Sequence, residues 1–148
     1  MRAGIHPLQG ERMPHTVIHI AAALLLGPDG RTLLVRKAGT RAFMQPGGKI
    51  EPGETAEQAL VRELREELGI EADAGRLEPL GRFTATAANE KDAAVVAETF
   101  VLDTDAIPTP AREIEEIVWI DPASPPPIEL APLTGERILP AWRARRPV

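Results

Sequence analysis

Between Gly47 and Ile70 the chain reads GGKIEPGETAEQALVRELREELGI, with six acids against three bases. Glu63, Glu66 and Glu67 fall within five residues, and like charges one helical turn apart repel. At about 100° per residue the three carboxylates share one arc of a helix, beside the apolar arc of Leu60, Val61, Leu64 and Leu68. Between the two arcs lie only Ala56 and Ala59, which leave room for an approaching group. Converging carboxylates suit a hard divalent cation such as Mg²⁺ or Mn²⁺, which prefers oxygen ligands. The competing reading is a solvated acidic face on an amphipathic helix.

The elements that must hold these acids are readable on either side. Thr55 with Gln58 forms a capping box, and Gly69 followed by Ile70 makes a left-handed stop, so the helix is predicted over 56–68. Ahead of it, 38–48 reads as a loop whose Gly47 and Gly48 permit close backbone approach. It is not a Walker loop, because Gly48-Lys49 is followed by Ile50 rather than Ser or Thr. Lys49 is a candidate phosphate contact, with a solvated surface lysine as the simpler alternative.

The rest of the pattern is a mixed α/β domain. Residues 16–26 and 32–37, joined by the turn at 27–30, predict an antiparallel hairpin. Residues 80–87 and 93–102 predict a second, closing at 89–92. A short strand is expected at 116–120, no regular structure in the Pro-dense 121–132, and a short helix at 134–143.

Composition narrows the class. The chain has 148 residues, enough for one domain with a sizeable core, and a formal charge of -5, which argues against a broad surface for polymeric nucleic acid. Without cysteine there is no disulfide framework and no thiolate chemistry, which is compatible with a reducing, cytoplasmic setting. No apolar run is long enough to span a membrane. Residues 1–14 read as a flexible arm ahead of a single domain over 15–148, and Met13 is an alternative translation start.

Gly48, Glu54, Arg62-Glu63-Leu64, Glu66-Glu67 and Gly69-Ile70, at their spacing in this chain, resemble the Nudix box at every defined position. With the flanking strands the resemblance extends over about residues 15–143. It implies a Nudix-type α/β/α sandwich with a mixed central sheet, and a metal-dependent hydrolase of nucleoside diphosphate derivatives. It implies Glu63, Glu66 and Glu67 as ligands of Mg²⁺ or Mn²⁺, the Gly47 carbonyl as a further ligand, and Arg62 and Glu54 as supports. One of the box glutamates or a glutamate outside the box would act as base.

Outside the box, Glu98 shares a strand face with Val96 and Phe100, and Glu113, Glu115 and Glu116 precede a strand where some relatives place a further ligand. Glu98 and Glu116 are the better of these candidates, though each has a structural alternative. Arg41, Phe43 and Glu98 are candidate substrate contacts, and Asn89 is a further one, with a surface arginine and a turn asparagine as the simpler readings of Arg41 and Asn89; Phe83 and Trp119 join Phe43 as stacking candidates, each with a core position as the alternative.

Secondary signatures of the dinucleoside-polyphosphate, ADP-ribose, NADH and coenzyme A types are absent, and the isomerases of this fold need a cysteine. What the resemblance then favours is a nucleoside-triphosphate pyrophosphatase, oxidised deoxynucleotides included, acting on small nucleotides and no membrane. A Nudix-like nucleotide sensor that binds without cleaving is the rival, disfavoured by the intact carboxylates. Relatives are often dimers, so a homodimer stays open.

Overall fold

The computed structural model describes residues 16–87 and 92–145. The expected N-terminal arm, the alternative start at Met13 and the candidate Asn89 lie outside them.

Among the described residues six strands form one sheet: β1 (Thr16–Leu26), β2 (Thr32–Lys37), β3 (Gly47–Lys49), β4 (Glu78–Thr86), β5 (Ala93–Asp103) and β6 (Ile114–Ile120). The order is β4-β5-β1-β2-β6, with β3 also paired to β1. The β1–β5 pairing is parallel along its whole length, while the others are antiparallel, so the sheet is mixed as expected. β1 is buried through Leu26 from Ala21 and reads as a continuous apolar run, as a central strand covered on both faces should.

The first hairpin departs from its simplest form. β1 and β2 pair only where Leu26 meets Thr32. Further along, β1 takes β3 as its neighbour, with Ile20, Ala21 and Ala22 opposite Lys49, Gly48 and Gly47. β2 turns instead to β6. The segment expected to be a plain loop therefore wedges into the split, anchored where Val35 and Met44 exchange backbone hydrogen bonds and where the Ala23 N–H donates to the Pro46 carbonyl. Three residues of glycine and lysine carry no periodic signal, which is why β3 is invisible to patterning.

α1 (Ala56–Leu68) covers one face of the sheet. Its predicted limits hold, with the reciprocal capping box at Thr55 and Gln58 and Gly69 in left-handed conformation at φ 66°. Leu60, Leu64 and Leu68 are fully buried against Ala21, Ala23, Val35 and Phe100. Each such burial contributes about 1.5–3 kcal/mol. On the other face lie Leu24, Leu34, Phe43, Ala97, Leu133 and Ile138.

That second face is closed by a wide π-type segment, Leu133–Ile138, which runs into α2 (Leu139–Arg145). The Leu139 N–H reaches back to the Thr134 carbonyl, five residues away. Pro140 follows and has no N–H to give, so the ordinary ladder is interrupted there. Among the described residues no helix is long and apolar enough to cross a membrane.

Candidate active site

The acidic arc of α1 rests against β3. A Cβ on Gly48 would stand 2.5 Å from the Glu63 carboxyl, so the Glu63 side chain occupies the space that any larger residue would need. Gly47 has φ 148°, and a Cβ there would strike the Ala21 carbonyl oxygen and sit 2.9 Å from the Ala22 Cα. The glycine pair thus lets a backbone strand and a carboxylate share one location.

Arg62 organises the carboxylates. Its Nε donates to Glu54 Oε2 at 2.7 Å and its Nη2 to Glu54 Oε1 at 2.9 Å, a bidentate fork. Nη1 donates to Glu63 Oε2 at 2.9 Å and, more weakly, to Glu66 Oε1 at 3.4 Å. Nη2 also reaches the Lys49 carbonyl at 3.1 Å, which ties β3 to the helix. Glu54 accepts the Glu51 N–H as well. The Arg62 hydrogen bonds, with that backbone bond second, hold the Glu54 carboxyl down to about 2. The same pairing raises the Arg62 guanidinium above its ordinary value.

Glu67 is the buried member, 5% exposed, and accepts the Gly47 N–H at a long 3.4 Å. Burial above all, then the hydrogen bond and charge of Glu63, push its carboxyl up to about 8. Lys37 offsets part of that rise by its charge. Glu66 meets a second cation, Arg112 Nη2 at 3.5 Å. Arg112 is in left-handed conformation, φ 57°, in a loop docked on the end of α1. There the Thr109 and Ala111 N–H groups donate to the Leu68 and Glu67 carbonyls at 2.7 and 2.8 Å, satisfying helix-end acceptors.

The crowding of acids is therefore tolerated by two arginines and a proton before any ion is considered. Among the described residues no three acidic or histidine side chains converge on one point as a ready-made metal centre. The donor chemistry fits a hard divalent cation: oxygens only, one carboxylate buried beneath the Gly47 N–H and a second laid over glycine backbone. For all three to reach one ion, Glu66 must leave Arg62 and Arg112, both weak contacts at 3.4 and 3.5 Å.

The other candidates divide. Glu98 pairs across the sheet with Ala21, which in turn pairs with Gly48, so it lies in the cross-strand row over which Glu63 is seated. It forms an ion pair with Arg82 at 3.1 Å. Glu116 is held by Arg36 at 3.0 Å, and Arg36 lies over the Phe43 ring in the core on the face away from α1. Glu115 joins the same arginine and Glu113 pairs loosely with Lys37. Arg41 is exposed and pairs with Glu129 at 3.4 Å. Phe43 is 8% exposed in that core, where Phe83 also packs, and Trp119 packs on the α1 side.

On the face opposite α1, next to Gly47 and Gly48, the split between β1 and β2 opens a cavity of about 170 Å³. Aliphatic side chains of β1, Met44, Val95 and Leu133 line most of it, and Gln45, Lys37 and Lys49 bring polar groups. Sequence patterning singled out neither Gln45, Lys37 nor Arg112. Each acts through a distant partner, and no local spacing signals that.

Comparison with known proteins follows the same lines. The family model of the NUDIX domain matches residues 17–141. An 8-oxo-dGTP diphosphatase of Haemophilus influenzae is 33% identical over 114 residues, covering 74% of this chain and 79% of that protein. A CTP pyrophosphohydrolase of Escherichia coli is 49% identical over 65 residues, 40% of this chain and 46% of that one. The solution structure of the E. coli ORF135 protein superposes with a TM-score of 0.69 at 31% identity, covering 94% of both chains. A MutT NUDIX hydrolase from Burkholderia pseudomallei gives a TM-score of 0.68 over 84% of this chain and 99% of that one; at 23% identity it speaks for the fold.

Proposed function

This chain belongs to the Nudix hydrolase family, and from that premise we propose that it cleaves a phosphoanhydride bond of a nucleoside or deoxynucleoside triphosphate, oxidised deoxynucleotides included, with Mg²⁺ or Mn²⁺ as cofactor. The observation that carries the reading is a juxtaposition. The Gly47–Gly48 backbone lies between the carboxylates of α1 and a nucleobase-sized, largely apolar cavity. The relatives' names, an 8-oxo-dGTP diphosphatase and a CTP pyrophosphohydrolase, support a nucleotide substrate.

Glu63, Glu66, Glu67 and the Gly47 carbonyl would hold the divalent cation, which would supply positive charge for the phosphoryl oxygens and acidify water. The chain's own groups do the rest. Arg62 keeps Glu63 aligned over Gly48 and keeps β3 on the helix through the Lys49 carbonyl. Glu67, buried beneath the Gly47 N–H, gives up its proton where a cation binds, since only the carboxylate ligates. Glu98, in the row of Gly48, is the candidate base outside the box. Lys37 faces the cavity and lies within electrostatic reach of Glu67, which suits the phosphates of a substrate whose base enters the cavity.

The test is release of nucleoside monophosphate from a panel of nucleoside triphosphates and nucleotide sugars with Mg²⁺ or Mn²⁺, with pyrophosphate as the second product from the triphosphates. Turnover of at least one triphosphate is expected, with Glu66→Gln and Glu67→Gln each lowering it by 100-fold or more, on the order expected for lost metal ligation. Absence of turnover on every substrate, or full activity in both variants, overturns the assignment.

A further inference from the structure

Both oxygens of Glu66 are engaged by guanidinium groups. Arg62 Nη1 lies 3.4 Å from Oε1, and Arg112 Nη2 lies 3.5 Å from Oε2. Glu66 therefore cannot offer an oxygen to a cation without loosening from an arginine. The two arginines differ in what else holds them. Arg62 keeps its fork on Glu54, its bond to Glu63 and its bond to the Lys49 carbonyl, so it stays in place if Glu66 turns away. Arg112 has Glu66 as its one partner among the described residues, and its side chain is 61% exposed. A guanidinium so placed passes into water at little cost.

The backbone under Arg112 gives no reason for an arginine. The Ile114 N–H donates to the Ala111 carbonyl at 3.2 Å, closing a turn in which Arg112 stands second with φ 57°. Glycine, asparagine or aspartate suit that position best, because a longer side chain crowds the backbone there. The segment is otherwise firmly set. Pro108 and Pro110 restrict it, and the Thr109 and Ala111 N–H groups tie it to the end of α1. A rigid turn with a strained residue thus aims one guanidinium at one carboxylate of the acidic arc. What the arginine adds lies in that contact.

On the reading that Glu66 is a metal ligand, we propose that Arg112 is the internal counter-ion of the unloaded site and competes with the divalent cation for Glu66. It lowers the affinity of the site for metal, and loading releases it to solvent. An arginine that stayed on Oε2 and oriented Glu66 for the metal would act in the opposite sense and raise affinity. Competition follows from the arrangement on the two oxygens. Oε1 faces the tethered arginine, so Oε2 comes free more easily, and it does so when Arg112 leaves.

The experiment titrates chelator-treated protein with Mn²⁺ in the absence of nucleotide and counts free Mn²⁺ by electron paramagnetic resonance. Wild type is compared with Arg112→Gln, Arg112→Gly and Arg65→Ala, with thermal melts to confirm folding. Glutamine removes the charge and keeps a side chain, while glycine also suits the turn and so secures a folded variant. Both are expected to lower the Kd for Mn²⁺ by about three- to tenfold, from loss of one exposed pair and one positive charge beside the site. Arg65 lies on the same helix and pairs with Glu71 instead, so Arg65→Ala measures the general effect of charge. Its Kd should stay within about twofold of wild type, since exposed charges at longer range are screened. A merely structural Arg112 would leave the Kd unchanged or, through a loosened loop, raise it. Unchanged or weaker binding in the folded variants, or a gain no larger than that of Arg65→Ala, overturns the proposal and leaves the metal site standing. A wild type that binds no Mn²⁺ overturns both.

Discussion

Arg62 and Glu54 are joined by two parallel hydrogen bonds, 2.7 and 2.9 Å, across the turn that leads from β3 into α1. The fork leaves Nη1 free for Glu63 and Glu66. One guanidinium thus sets the position of the loop and of two carboxylates together. Lysine has a point charge and no fork, so it cannot do both. Arg62→Lys is expected to lower kcat/KM by about 10- to 100-fold, the usual effect of losing a group that orients ligands. Glu54→Gln, which keeps one acceptor for the guanidinium, should fall between wild type and Arg62→Lys. Steady-state kinetics on the best substrate of the panel checks the order; equal activities in all three would remove Arg62 from its organising role.

The two glycines of β3 predict different failures. On Gly48 the added methyl of Ala meets the far end of the Glu63 side chain, which can rotate away. Gly48→Ala should therefore fold with near wild-type stability, within about 1 kcal/mol, yet lose roughly 100-fold in kcat because Glu63 is displaced. On Gly47 the methyl meets backbone of β1 at a φ that L residues avoid. Gly47→Ala should cost on the order of several kcal/mol or prevent folding. Thermal melts beside activity separate the cases, and a strongly destabilised Gly48→Ala would contradict this account.

Much of this site could be read in advance because it is local. Thr55, Gln58 and Gly69 fixed the ends of α1 through capping chemistry, and a 3.6-residue period placed Glu63, Glu66 and Glu67 on one arc. What escaped depends on residues far apart in the chain. β3 is three residues that become a strand only because β1 and β2 part company beyond Leu26. Arg112 reaches Glu66 only because its loop docks on the α1 carboxyl end. Gln45 meets Thr134 in a 2.8 Å hydrogen bond only in the fold, and Thr134 sits on a π segment that the helical pattern at 134–143 could not distinguish from an ordinary helix. The crowding of like charges pointed to a cation, yet in the fold it is arginine and a retained proton that first offset it.

Glu67 gives a pH dependence with a definite sign. Its carboxyl lies at about 8 in the folded protein against an ordinary 4.5. Between those values the folded state binds more proton than the unfolded one, so stability from this group is complete below about 4.5 and is lost as pH rises through about 8. Glu54 acts in the opposite sense but only below 4.5, toward about 2, and leaves the neutral range alone. In chelator-treated protein the melting temperature should fall from pH 5 to 8.5, and Glu67→Gln should flatten that slope. Because a cation binds the deprotonated carboxylate, added Mg²⁺ should raise the melting temperature more at pH 8.5 than at pH 6. The same slope in Glu67→Gln and wild type would show that another group governs the range.

Glu98 and Glu116 were equal candidates by position in the chain, and the fold separates them. Glu98 shares a cross-strand row with Ala21 and Gly48 on the face that α1 covers. Glu116 bonds to Arg36, whose guanidinium sits over Phe43 on the other face. Exposed ion pairs of the second kind contribute about 0–1 kcal/mol. Glu116→Gln is accordingly expected to change kcat/KM by less than about threefold and the melting temperature little. Glu98→Gln should lower kcat by about 100-fold with little change in KM, as removal of a proton acceptor does. The pairing with Arg82, 3.1 Å away, adds a control: Arg82→Gln removes the partner and leaves the carboxylate, so it should keep most of the activity that Glu98→Gln loses. If Arg82→Gln and Glu98→Gln are equally impaired, the ion pair rather than a catalytic carboxylate is what that row supplies.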